Sequence, residues 1–300
     1  MEFGVNTEIG KLKKVLMHRP GKEMQKITKK TLSHYRFRAI PHLSKMQQEF
    51  NDFTRILENN GVEISLLATY TNKISNPNHL YMRDSVAVST KGLIIMNMGI
   101  EGRKDEPKIV KEALKKEIPV HIEMGKNEKL EGGDLVYVDE KTLAIGYNPR
   151  SNLNGAKKIV KGMQNTSIET LLLVPLPPYR VHLDGAFTLV DEKLCVIHED
   201  SLRYQPATII NKNKPQEKML FLDYLDTKKF KTITCTDKET YNFGPNIFAI
   251  EAKKVISYNW NRRIIKELEK RNIEVIPLDG HELVKGGGGP HCMTCPVLRK

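Results

Sequence analysis

No stretch of the 300-residue sequence approaches the roughly 20 consecutive apolar residues of a membrane span, so neither a bilayer-crossing helix nor a membrane partner is expected. Cysteine is scarce as well. Cys195, Cys235, Cys292 and Cys295 are too few and too scattered for the disulfide framework of a small secreted domain, and free thiols are the expectation. The opening Met1-Glu2-Phe3-Gly4-Val5-Asn6 lacks the basic residues, apolar core and small-residue cleavage site of a secretory signal, which makes the cytoplasm the expected compartment. Low-complexity linkers and abrupt shifts of composition are missing too. Residues 1–300 are therefore read as one domain, at the upper edge of what a single core organises.

Negative charge is in deficit: 48 Lys and Arg against 36 Asp and Glu leave a net +12. A nucleic-acid binder would gather that excess into a patch that neutralises phosphates. Here Lys11, Lys13, Lys14, Lys157, Lys158, Lys228, Lys229, Lys253 and Lys254 are spread along the chain without interleaved aromatics. No nucleic-acid partner is expected, and a solvated lysine-rich surface is the plainer reading. A basic polyanion-binding protein stands as the non-enzymatic alternative.

What is present is a repeated layout. In Arg83 to Met98, Gly132 to Tyr147, Leu183 to His198 and Asn246 to Tyr258, a strand-like run meets a short polar or glycine turn and then a second strand-like run, which predicts a β-hairpin each time. Two of the turns, Asp139-Glu140-Lys141 and Asp191-Glu192-Lys193, are the same word. Apolar stripes at helical spacing follow several hairpins: Ile109, Val110, Ala113 and Leu114; Ile159, Val160 and Met163; Ile264, Ile265 and Leu268. A longer amphipathic helix is predicted over Leu43 to Asn59, with Asn60-Gly61 as its stop, and Leu12 to Met17 reads as a strand. The unit is hairpin, helix, strand, used about five times if the N-terminal strand and helix form a degenerate copy.

Four stretches place acidic, basic or thiol groups beside strand ends or glycines: Asn78-His79-Leu80-Tyr81-Met82-Arg83-Asp84, Glu131-Gly132-Gly133-Asp134, His182-Leu183-Asp184, and Gly286-Gly287-Gly288-Gly289-Pro290-His291-Cys292. Four consecutive glycines cost too much backbone entropy for a regular element and imply a loop with unusual dihedrals. Such a loop can bring Cys292 against a substrate, and a neighbouring positive charge would make its thiol a nucleophile. The spacing of Cys292 and Cys295 also fits a redox pair or half a zinc site, with His281 and His291 as partners, but no second pair supports it. In His182-Leu183-Asp184 the strand period of two predicts both polar side chains on one face.

Together these stretches resemble the arginine deiminases of the guanidino-group-modifying superfamily, which also contains amidinotransferases, dimethylarginine hydrolases and agmatine deiminases. The resemblance runs nearly end to end. It includes Glu8 to Gly21 at the start, Ile40-Pro41 through Gly61-Val62-Glu63, and the closing GGGGPHCMTCP as its most specific element. It implies the pentein α/β propeller, five hairpin-helix-strand units with pseudo-fivefold symmetry, here as a single catalytic domain. It implies Asp84, Glu131, His182, Asp184 and Cys292 as catalytic residues, and Asn78, Arg103 and Arg150 as ligands of a substrate α-carboxylate, which favours L-arginine over agmatine. The implied reaction is hydrolysis of L-arginine to citrulline and ammonia through an intermediate on Cys292, with no metal or organic cofactor. The alternatives are an amidinotransferase using arginine as donor, or a hydrolase of agmatine or methylated arginine. A homo-oligomer is left open. Two departures stand out: His291 precedes the nucleophile where arginine deiminases usually carry Arg, and only a short link joins Leu67 to Asn78, without the helical insertion of bacterial members.

Overall fold

A computed structural model describes residues 1–212 and 214–300. Strands β1 (Leu12–Met17) and β2 (Glu63–Leu66) run parallel, connected through the helix Leu43–Asn59. Met46, Phe50, Phe53 and Leu57 of that helix are buried, each contributing about 1.5–3 kcal/mol relative to exposure. Gly61, at φ +74°, turns the chain out of the helix while the Val62 N–H returns to the Leu57 carbonyl at 3.1 Å.

The same scheme then recurs with an added hairpin strand. Strand β3 (Val86–Ser89) pairs antiparallel with β4 (Gly92–Ile95), and β4 pairs parallel with β5 (Val120–Glu123). Next, β6 (Leu135–Asp139) and β7 (Thr142–Tyr147) form a hairpin, with β8 (Thr170–Pro175) parallel to β7. In the following unit β9 (Phe187–Asp191) and β10 (Leu194–Ile197) form the hairpin. Its crossover is longer: β11 (Ala207–Asn211) and β12 (Glu217–Met219) pair with each other, β11 also extends the previous sheet at β8, and only then does β13 (Lys231–Thr234) join β10 in parallel. The sequence periodicity did not reveal this detour. The hairpin β14 (Phe248–Glu251) and β15 (Lys254–Tyr258), with β16 (Glu274–Leu278) parallel to β15, completes the next unit.

The last strand, β17 (Cys295–Arg299), pairs antiparallel with β1. The N-terminal unit is therefore not a degenerate copy. Its hairpin is split between the two ends of the chain, and this closes five pseudo-equivalent units into the pentein propeller. The predicted helix Leu43–Asn59 and strand Leu12–Met17 are found with those bounds. Among the described residues, no helix is long and apolar enough to cross a membrane.

Candidate active site

Each unit delivers its polar residues just before the first strand of its hairpin. Asp84 lies in a 3-10 turn (Met82–Asp84) ahead of β3, Glu131 precedes and Asp134 ends another (Gly132–Asp134) ahead of β6, and Asp184 lies in a third (Leu183–Gly185) ahead of β9. Asn246 precedes β14, and His291 with Cys292 precedes β17. Expected strand alternation thus does not account for His182 and Asp184: His182 is extended (φ −139°, ψ 161°) and Asp184 belongs to the turn that follows. A tight turn, not a pleat, aims the two at one cleft.

The four glycines form the wall behind Cys292. Gly287 sits at φ +88°, a conformation that favours glycine, and a Cβ on Gly288 would overlap the Tyr81 ring. Tyr81 donates to the Leu283 carbonyl at 2.7 Å and Tyr258 to the Gly288 carbonyl at 3.1 Å, so aromatic hydroxyls hold the loop from below.

The expected catalytic set converges. The Glu131 carboxylate, fully buried, accepts the Gly99 N–H at 2.8 Å and faces His182 Nε2 at 2.7 Å. His182 Nδ1 lies 3.5 Å from Asp84 Oδ1, a buried oxygen with no hydrogen-bond partner among the described residues. Burial disfavours the imidazolium, but Asp84, Glu131 and Asp134 outweigh it and raise the His182 pKa to about 9. The same pairing holds Glu131 well below the usual carboxylate range against the opposing effect of burial. Asp134 accepts from the Ser151 hydroxyl and from the Leu183 N–H at 2.9 Å, and burial pushes it up to about 7.

Cys292 is buried and its Sγ lies 3.8 Å from Asp184 Oδ2. Burial, then the charges of Asp184 and Asp84, push its thiol well above the ordinary value. Asn246, which sequence reasoning missed, donates from Nδ2 to Sγ at 3.0 Å and accepts the Cys292 N–H at 3.3 Å. His291 turns Nδ1 to Asp184 Oδ2 at 2.9 Å and Nε2 to Glu8 Oε2 at 3.4 Å, so the departure at this position has a defined place behind the nucleophile. Burial opposes ionisation of Asp184, but its bond with His291 wins and lowers its pKa. Cys295 begins β17, is unpaired, and is pushed by burial up to about 12.

The residues expected to grip an α-carboxylate are partly otherwise engaged. Arg103 is buried and directs Nε and Nη2 to the two Glu106 oxygens at 2.8 Å each and Nη1 to Asp84 Oδ2 at 2.6 Å. Held on both edges by carboxylates, Arg103 positions Asp84, and it also lines the cleft. Arg150 donates Nη1 to Glu131 Oε2 at 3.0 Å and is only partly covered. Asn78 donates Nδ2 to the Tyr35 carbonyl at 3.0 Å. Asp84, Glu131 and His182 also present oxygens and a nitrogen close enough to surround a cation, but Arg103 and Arg150 already serve as their counter-ions.

The cleft has two lobes that share Arg38, Val181, His182, Gly287 and Cys292. The proximal lobe, about 510 Å³, contains Asn78, Asp84, Arg103 and Arg150. The distal lobe, about 400 Å³, contains Asp184, Asn246, Arg180 and aromatic side chains.

A buried thiol, an imidazole and three carboxylates at the meeting point of five pseudo-equivalent units define a pentein with a complete polar centre. Residues 75–299 match the arginine deiminase family model, and the chain belongs to that family. Arginine deiminases from Borreliella afzelii and Latilactobacillus sakei are each 25% identical to it, over alignments that cover 99% of this chain and 98% of theirs. Among solved structures, a dimethylarginine dimethylaminohydrolase from Pseudomonas aeruginosa, complexed with citrulline, superposes with a TM-score of 0.73 at 20% identity, covering 95% of this chain and 99% of that one. AgrE bound to L-arginine superposes at 0.74 with 18% identity, covering 95% of this chain and 40% of that one. Likeness at that level shows the fold.

Proposed function

We propose that the chain hydrolyses the guanidino group of L-arginine to citrulline and ammonia, with Cys292 as the nucleophile. Membership of the arginine deiminase family makes it a hydrolase acting on amidine C–N bonds. The observation that carries the finer reading is Asp84 Oδ1: a buried carboxylate oxygen without a donor among the described residues, 3.5 Å from His182, in a carboxylate whose charge acts on the Cys292 thiol. Burying an acceptor unsatisfied is costly, and a planar guanidinium supplies the missing N–H with matching charge.

Held between Asp84 and Asp184, the substrate cation neutralises the two charges that suppress Cys292 ionisation, so the thiolate forms where its target is bound. Asn246 Nδ2 then stabilises the sulfur anion. The thiolate adds to the guanidinium carbon, and His182, protonated at neutral pH, donates a proton as ammonia departs. The resulting S-alkylthiouronium is attacked by water, whose proton His182 accepts. The C–S bond breaks as the remaining hydroxyl proton passes to solvent, citrulline is released and the thiolate is restored. Glu131 holds the imidazole through Nε2. The carboxylate of the substrate falls in the proximal lobe, where Arg150 has a single protein bond to exchange and Asn78 lines the wall.

Product analysis with L-arginine, agmatine, dimethylarginine and arginine plus glycine, alongside C292A, tests the reading. Citrulline and ammonia from arginine, abolished in the variant, are expected; guanidinoacetate would make the chain an amidinotransferase, and no turnover would remove the substrate assignment.

A further inference from the structure

The distal lobe adds about 400 Å³ to the cleft, and its cations differ in their partners from two of the arginines of the proximal lobe. There, Arg103 and Arg150 are each paired with a carboxylate. Arg180, which lines the distal lobe only, has no carboxylate within ion-pair distance among the described residues, and neither has Arg38, which lines both lobes. Arg180 donates Nε to Ser201 Oγ at 3.0 Å and lies 3.4 Å from His198 Nδ1 through Nη2. Arg38 stacks over Tyr241 and Phe243 at 4.3 and 4.4 Å and donates Nη1 to the Tyr241 carbonyl at 3.0 Å. The carboxylate of Asp237, also on the wall, is 88% exposed and turned to His198 Nε2 at 2.9 Å. Burial lowers the Arg180 pKa, and Tyr179, Asp237, Asp184 and Cys235 only partly oppose this, which marks an incompletely compensated cation. Tyr179, Val181 and Tyr241, three of the exposed large apolar side chains, form the rim.

Position supplies the rest. Asp84 lines only the proximal lobe, Asp184 only the distal one, and Cys292 and His182 line both. A guanidinium held between the two aspartates with its amino-acid chain in the proximal lobe therefore turns its far terminal nitrogen toward Arg180 and Arg38. We propose that the distal lobe receives a carboxylate-bearing substituent on that nitrogen, so that the chain hydrolyses Nη-carboxyalkyl arginines to citrulline and a free amino acid. This rests on the deiminase reading above and extends its substrate class.

The chemistry balances without an added reactant. The Cys292 thiolate adds to the guanidinium carbon, the bond from that carbon to the substituted nitrogen breaks, and the nitrogen leaves as the amine of the amino acid with a proton from His182. Water then adds to the thiouronium carbon and gives one proton to His182, the C–S bond breaks as the remaining hydroxyl proton passes to solvent, and citrulline and the thiolate are released. A guanidinium fork facing a carboxylate forms two charge-assisted hydrogen bonds, which sets the selectivity of the lobe.

The test compares Nη-carboxymethyl-L-arginine, Nη-propyl-L-arginine and L-arginine on the wild-type protein and on R180M and R180K. Glycine and citrulline are expected from the carboxymethyl compound, with kcat/KM at least roughly tenfold above that of the uncharged propyl analogue. In R180M this preference should fall roughly ten- to hundredfold while L-arginine turnover is retained, which also reports that the variant is folded; R180K should recover part of it. L-arginine turnover with no citrulline from the carboxymethyl compound would overturn the proposal. So would a raised KM for L-arginine in R180M, which would put the substrate's own carboxylate in this lobe. Calorimetric binding of both compounds to C292A separates the two readings: if no arginine is turned over, the deiminase reading fails, while tighter binding of the carboxymethyl compound that is lost in C292A/R180M still supports the lobe, and equal binding overturns it.

Discussion

Replacing His182 by Gln probes the electrostatics at the centre of the site. Burial alone would drive the imidazole toward its neutral form, yet Asp84, Glu131 and Asp134 raise its pKa from 6.5 to about 9. A group whose folded-state pKa is raised stabilises the fold fully below the unfolded value, and that contribution disappears as pH climbs through the folded one. The window is therefore pH 6.5 to about 9, and at about 1.4 kcal/mol per unit the contribution is about 3 kcal/mol. The ring is 6% exposed, so solvent screening takes little from this figure. In H182Q the contribution is absent at every pH. The difference in unfolding free energy between the two proteins, from urea denaturation, should shrink by about 3 kcal/mol between about pH 6 and about pH 10. Asp134 titrates near pH 7 inside this window and is held down by the His182 charge, so its midpoint moves up in H182Q and the pH dependence of the difference belongs to the His182–Asp134 pair. NMR of labelled histidine should show a resonance with a midpoint near 9 that is lost in H182Q. An unchanged difference across the pH range, or a midpoint near 6.5, would refute the ion-paired imidazolium and remove the general acid from neutral pH.

Three further substitutions test other parts of the site. N246A removes the donor to Sγ and should lower kcat roughly ten- to hundredfold with KM little changed, and should slow alkylation of Cys292 by iodoacetamide at a given pH; equal alkylation rates would take Asn246 out of the sulfur's environment. G288A drives a methyl group into the Tyr81 ring and should cost about 1–3 kcal/mol in urea denaturation together with a loss of turnover, so wild-type activity would show that the loop does not rest on that ring. R103K breaks the fork on Glu106 and leaves buried carboxylates underpaired, for a loss of about 3–5 kcal/mol; a loss below about 1 kcal/mol, with KM for L-arginine raised, would return Arg103 to the substrate.

Much of the architecture was legible because local pattern and tertiary role agree. The stripe from Leu43 to Leu57 is buried against the core, and the repeated Asp-Glu-Lys turns close hairpins in which the leading aspartate accepts a turn N–H, from Lys141 in one and Glu192 in the other, at 2.9 Å each. Other features depend on contacts far apart in sequence. The pairing of β17 with β1 joins the two ends of the chain, so a reading of consecutive segments finds four complete units and takes the fifth for a remnant. The β11–β12 hairpin stands on the edge offered by β8, and its own short, partly exposed strands carry little periodicity.

The site divides along the same line. Motifs rich in glycine and charge marked Asp84, Glu131, His182, Asp184 and Cys292, whereas Arg103 stands outside them and was implied by the family resemblance alone. Both Arg103 and Arg150 fall 19 residues after a site carboxylate and both pair with it, but Glu106 sits one helical turn from Arg103 and takes its fork. Asn246 carried no motif, yet the pseudo-symmetry contains its signal. Asp84 stands two residues before the first strand of its hairpin, and Asn246 stands two residues before β14. Aligning the units on their hairpins, instead of searching for reactive residue types, singles out the position of Asn246 as the contribution of its unit to the centre. The amide found there touches the one atom on which the proposed chemistry turns.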